Sequence, residues 1–156
     1  MKKSAFIFAL IFCLFFSSCG DLPEGYARSQ VFKLLESRSD LCALLVRCSD
    51  ATAEEEYYLD EGLLYSLFGN GEPMAELSLV RECAFFIASG RNICEYYVFV
   101  CRTFLDTDAV SLMCEKRAKL LRMQTGLNYA SSSAAANAFV SVKGKCVIFA
   151  ALPAEN

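Results

Sequence analysis

Apolar and polar positions along the chain alternate mainly with helical periodicity. From Arg28 to Cys48, the residues Val31, Leu34, Leu35, Leu41, Cys42 and Leu45 fall near helical spacing, with Lys33, Glu36, Arg38 and Asp40 between them. This spacing predicts a helix. Thr52-Ala53-Glu54-Glu55 has the form of a capping box, and the apolar positions from Tyr57 to Phe68 predict a second helix behind it. Pro73 suits the first turn of a third, whose inner stripe would be Leu77, Val80, Ala84 and Ile87, ending at Gly90. Asn92 with Glu95 predicts the cap of a fourth. Its middle, Tyr96-Tyr97-Val98-Phe99-Val100, has the composition of a buried strand, but the caps and the helical neighbours favour helix. Cys94 and Cys101 provide a diagnostic: seven apart, they share one face of a helix but lie on opposite faces of a strand.

A fifth helix is expected over residues 107–124, capped by Asp106. Val110, Met113, Cys114, Ala118 and Leu121 form its inner stripe, and Glu115, Lys116, Lys119 and Arg122 its wet face. The basic cluster Lys116, Arg117, Lys119 and Arg122 is explained by a solvated, cation-rich helix end. Ser131 to Ala136 suits a loop or a short helix. Phe139–Val142, Lys143-Gly144-Lys145 and Cys146–Leu152 predict a β-hairpin with a three-residue turn. The fold class expected is therefore mainly α: a bundle of about five helices with disulfide cross-links and a small C-terminal β-hairpin.

Ahead of this domain, Lys2 and Lys3 precede twelve unbroken apolar residues, Ala5 to Phe16, closed by Ser17 and Ser18. That order is the order of a secretory signal peptide. Twelve helical residues reach only about 18 Å, too short to cross roughly 30 Å of hydrocarbon. Phe16-Ser17-Ser18-Cys19 resembles the lipobox of bacterial lipoproteins, with Phe16 where that family usually carries leucine. The resemblance implies cleavage before Cys19 and acylation of its sulfur. More than one acyl chain is then needed for stable anchoring. The expected organisation is a signal peptide over 1–18, a lipid-anchored tether over 19–27 and a single cysteine-rich domain over 28–156. The implied location is the bacterial cell envelope, at the outer membrane or the periplasmic face, with the membrane as partner through acylated Cys19. Secretion without lipid is the alternative.

Removing residues 1–18 leaves 138 residues, with 13 basic against 18 acidic side chains and a net charge of −5. An acidic product lacks the positive field that nonspecific nucleic-acid binding requires. Histidine is absent, so Ser-His-Asp triads, Cys–His dyads and His-ligated zinc are unavailable. No C-x-x-C pair, zinc-ribbon spacing or phosphate-binding loop occurs. Asp60 and Glu61 are adjacent and would point different ways on a helix. No catalytic, metal-ligating or cofactor-binding set is predicted, and no enzyme activity is expected.

Export makes Cys42, Cys48, Cys83, Cys94, Cys101, Cys114 and Cys146 the disulfide candidates. If Cys19 is acylated this set is odd in number, and one thiol stays unpaired. Helix geometry excludes Cys42 with Cys48 and Cys94 with Cys101, whose Cα atoms would lie beyond the roughly 7 Å a bridge allows. Cys101 with Cys114, or Cys83 with Cys94, would staple neighbouring helices. These features point to a lipid-anchored envelope protein with a binding or structural role, in which a protein partner would have no identity legible in the chain. A secreted disulfide-rich effector or adhesin-like module is the alternative, and a thiol redox protein or an unrecognised hydrolase comes third.

Overall fold

A computed structural model describes residues 21–41, 44–88, 93–124 and 129–154. The leader, Cys19, Cys42, the predicted stop at Gly90 and the predicted cap residue Asn92 lie outside the described residues.

The architecture is α/β, not a helical bundle. Five antiparallel strands form one sheet in the order β1-β2-β3-β5-β4, comprising β1 (Leu44–Cys48), β2 (Val80–Ala88), β3 (Glu95–Cys101), β4 (Phe139–Lys143) and β5 (Cys146–Ala151). One face is covered by α1 (Tyr26–Ser37). The other is covered by α2 (Glu61–Phe68), α3 (Thr107–Arg122) and α4 (Tyr129–Ala136). Short 3-10 helices at Ala75–Leu79 and Phe104–Asp106 lead into β2 and α3.

Three predicted helices are corrected by the sheet. The stretch from Arg28 to Cys48 divides into α1 and the edge strand β1. The third predicted helix becomes a 3-10 turn followed by β2, and the fourth becomes β3. The physical cause is burial on both faces. In β2, Cys83 and Phe85 enter the core under α2 and α3, while Ala84 and Phe86 enter the core under α1. In β3, Tyr97 and Phe99 take the first core, and Val98 and Val100 the second. A strand covered on both sides has no wet face and reads as a continuous apolar run, which periodicity does not separate from a buried helix. Cys94 and Cys101 fall in opposite cores, as the strand alternative requires.

The Thr52–Glu55 pattern is also reassigned. Glu55 accepts from the Thr52 amide at 3.0 Å and hydroxyl at 3.2 Å, but these bonds close a turn. The helix starts later, where the Asp60 carboxylate accepts from the Gly62 amide at 2.9 Å. Asp106 likewise belongs to a capping box with Thr103 that opens the 3-10 turn, and gives α3 no side-chain cap.

Two predicted elements are present. In α3, Val110, Met113, Cys114, Ala118 and Leu121 are buried along one stripe. The hairpin forms too, with a two-residue connection: Lys143 pairs with Cys146 across Gly144-Lys145. Gly144 holds φ at 58°, the positive φ that a tight hairpin asks of its first central residue. The hairpin is not isolated, because β5 pairs with β3 along its length.

The two cores differ in content. Tyr97 anchors the one under α2–α4, with ring centroids of Phe68 at 5.0 Å, Phe85 at 4.9 Å and Phe149 at 5.6 Å. Such aromatic contacts contribute beyond the area they bury. The core under α1 is more aliphatic and smaller, with Ala27, Val31, Val98 and Val100 fully buried.

Candidate functional site

Chemistry concentrates at the end of the sheet where β2 begins and β1 and β3 finish. The β2–β3 register shifts between Val80 and Glu82, a bulge that places Arg81 outside the regular ladder. Bulges re-aim side chains in this way. Arg81 is exposed while Glu82 is 6% exposed. The Glu82 carboxylate accepts from the Ala27 amide at 2.6 Å, in the first turn of α1. A free amide and the positive end of the helix dipole together stabilise a buried carboxylate there. The Arg81 guanidinium lies 3.9 Å from Glu82 and donates to the Leu22 carbonyl at 2.9 Å. Ser49 fastens β1 to the same point: its hydroxyl accepts from the Cys83 amide at 2.8 Å, and its own amide donates to the Cys83 carbonyl at 2.8 Å.

Two open clefts meet at Ser49, Arg81 and Glu82. The larger, about 580 Å³, runs between β2 and α2. Leu64, Met74 and Leu77 form its apolar wall, and Glu61, Tyr65 and Arg102 its polar rim. The Tyr65 hydroxyl donates to Glu61 at 3.1 Å, and Arg102 donates to the Ser78 carbonyl at 2.9 Å. The smaller cleft, about 480 Å³, is bounded by Glu24, Gly25 and Asp50. Together the clefts offer guanidinium groups, carboxylates and an apolar wall within one opening.

The predicted disulfide candidates are distributed through both cores. Cys83, Cys101 and Cys114 lie under α2–α4, and Cys48, Cys94 and Cys146 under α1. No two described cysteines are bridged, which corrects the cross-linked architecture expected above. Cys83 with Cys94 fails on distance: Cys94 follows the far end of β2, where its carbonyl accepts from the Ala88 amide. Ala88 lies five positions beyond Cys83 along the strand, about 16 Å, and the two cysteines face opposite cores. Cys101 and Cys114 do enter the same core, where both stand as thiols. Burial pushes Cys48, Cys101 and Cys146 up to about 11. It raises Cys83 and Cys114 as well. Thiols so placed remain protonated at neutral pH and behave as small hydrophobes.

At the opposite end of the sheet, Glu95 is 7% exposed and held by Arg117 through two bonds, of 3.1 and 2.6 Å. The Tyr97 hydroxyl donates to the same carboxylate at 3.2 Å. Arg117, which the sequence pattern places within a solvated basic cluster, is therefore turned inward. Asp60 and Glu61 act separately, since one caps α2 and the other stands on the cleft rim. Among the described residues no group of three or more Cys, Asp or Glu is placed to hold a metal, and no helix is long and apolar enough to cross a membrane.

Sequence reasoning did not single out Ser49, Arg81 or Glu82. The available signal was a charged pair, Arg81-Glu82, opening an otherwise apolar run. Comparison with protein-family models, curated proteins and solved structures returned no match for this chain.

Proposed function

We propose that this chain is a lipid-anchored envelope protein whose α/β domain binds a small zwitterionic ligand, such as a short peptide, in the cleft beside Arg81. The observation that carries the reading is the grip on the chain just after Cys19. Lys145 pairs with Asp21, and Arg81 holds the Leu22 carbonyl. Asp21, two positions after the residue proposed for acylation, is thus held at the end that carries the clefts. The cleft composition supports the ligand class. A guanidinium fork suits a terminal carboxylate, Glu61 suits an ammonium group, and Leu64, Met74 and Leu77 suit an apolar side chain.

The intact mass of the chain recovered from membranes tests the anchor, since acylation adds hundreds of daltons at Cys19. A thermal-shift series with short peptides tests the cleft. A ligand at one hundred times its dissociation constant should add about 2.7 kcal/mol of stability, and Arg81→Ala should abolish that gain. A peptide shift that survives Arg81→Ala would refute the assignment to this cleft.

A further inference from the structure

Exposed carboxylates gather mainly on one side of the sheet end that carries the clefts. On its β1 side stand Asp50, Glu54, Glu55 and Glu56, all exposed. On its β3–β5 side stand Arg102 and Lys143, with Lys145 paired to Asp21 and with Asp106 and Asp108 in the turn that opens α3, and among them project two apolar side chains, Phe104 and Leu105. These are 60% and 72% exposed, and no described large hydrophobic is more exposed than Leu105. Their presentation is fixed. The Thr103 amide and hydroxyl both donate to the Asp106 carboxylate at 2.8 Å, closing the 3-10 turn that carries them. The hairpin turn lies alongside, since the Lys145 carbonyl accepts from the Cys101 amide at 2.8 Å.

Chain length then determines what can lie against this surface. Asp21 pairs with Lys145, and Cys19 stands two residues before it, a span of at most about 7 Å. We infer that this surface rests on an anionic phospholipid bilayer, with Phe104 and Leu105 entering the headgroup region and Arg102 and Lys143 meeting lipid phosphates. The inference rests on the acylation of Cys19 proposed above. A lipid within about 7 Å of Asp21 brings the bilayer to this end of the domain, where Arg102 and Lys143 are the exposed cations that meet its charge. The acidic β1 side is repelled and tilts away, which leaves the cleft beside Arg81 open to water. The short stretch from Cys19 to Gly25 therefore orients the domain instead of letting it swing.

The chain has no tryptophan, so Phe104→Trp introduces a single reporter at an exposed position. Leu112→Trp, on the outer surface of α3 and 52% exposed, serves as the control. The acylated protein is placed in vesicles of phosphatidylethanolamine and phosphatidylglycerol carrying brominated acyl chains. Quenching at position 104 should exceed that at 112 several-fold. Equal, weak quenching at both positions in a chain whose mass carries the acyl adduct overturns the inference and leaves the anchor standing. If the mass shows no adduct, the anchor falls, and the same chain added to these vesicles decides the surface alone. Quenching at 104 that Lys143→Gln weakens about fivefold, the equivalent of about 1 kcal/mol for one cation at an anionic membrane, supports it. No quenching overturns it.

Discussion

Two buried glutamates mark opposite ends and opposite faces of the same strand pair, and their surroundings differ. Glu95 is closed off. Arg117 grips it through two bonds, Tyr97 adds a third, and α3 and the aromatic core seal the region. Glu82 takes one short bond from the first turn of α1, has Arg81 only at 3.9 Å, and borders two clefts. One carboxylate is satisfied by a side chain brought in for it, the other by backbone and a helix dipole. The first arrangement locks a core, while the second leaves neighbouring cations exposed and a surface open. The proposed binding therefore belongs to the Glu82 end, and the Glu95 end is the closed one.

The largest expected effect is alkaline, and it falls on the Glu82 end. Cys48, Cys101 and Cys146 finish or start their strands there, with pKa values raised by burial from 9.0 to about 11. A group with a raised folded pKa contributes stability that is complete below its unfolded value and lost as pH climbs through the folded value. Between pH 9 and 11 the unfolded chain releases these protons while the folded chain keeps them. Stability should then fall by about 1.4 kcal/mol per pH unit for each thiol, or about 4 for these three, and the raised Cys83 and Cys114 add to the fall in the same direction. Thermal unfolding followed across that range checks it, with hydrogen exchange expected to rise at Cys101 and Cys146 before Tyr97. A flat profile would remove the burial argument.

Next in size is the closed end. Arg117→Met leaves the Glu95 carboxylate buried without its partner, at a cost of about 3–5 kcal/mol. Urea unfolding should show the lower midpoint, and adding Glu95→Gln should recover part of it by removing the stranded charge. If the single variant lost less than about 1 kcal/mol, Glu95 and Glu82 would differ less than their geometry indicates.

The smallest effect is at the open end. Glu82→Gln keeps an acceptor but loses the charge, and should cost about 2 kcal/mol, within the range for hydrogen bonds to charged groups. Its signature is local: exchange protection should fall first across Tyr26–Ser37, since Glu82 holds the Ala27 amide. Uniform loss of protection would instead tie Glu82 to the global core.

Legibility followed the range of the interactions involved. The stripe Val110, Met113, Cys114, Ala118 and Leu121 shows α3 because one face is buried and the other wet. Gly144 shows the hairpin because the turn depends on a single residue's freedom of φ. Local pattern misleads at Tyr96 to Val100, whose composition indicates strand but whose flanking caps indicate helix. It also presents Arg117 as a solvent-facing cation. Nothing local distinguishes Arg117 from Lys116; a glutamate 22 residues away in sequence does. The proposed Cys83–Cys94 staple is excluded for the same reason, because the sheet sends those two residues to opposite cores.

The chain by itself determined what is set by neighbours within a few residues: the amphipathic helix α3, the hairpin β4–β5 and the absence of histidine chemistry. Only the tertiary structure decided that two apolar runs are strands, that the described cysteines are unbridged, and that Glu82 meets the start of a helix 55 residues away in sequence. Burial on both faces of a sheet erases the periodicity that local reading depends on, and a site assembled from distant segments leaves no spacing to detect.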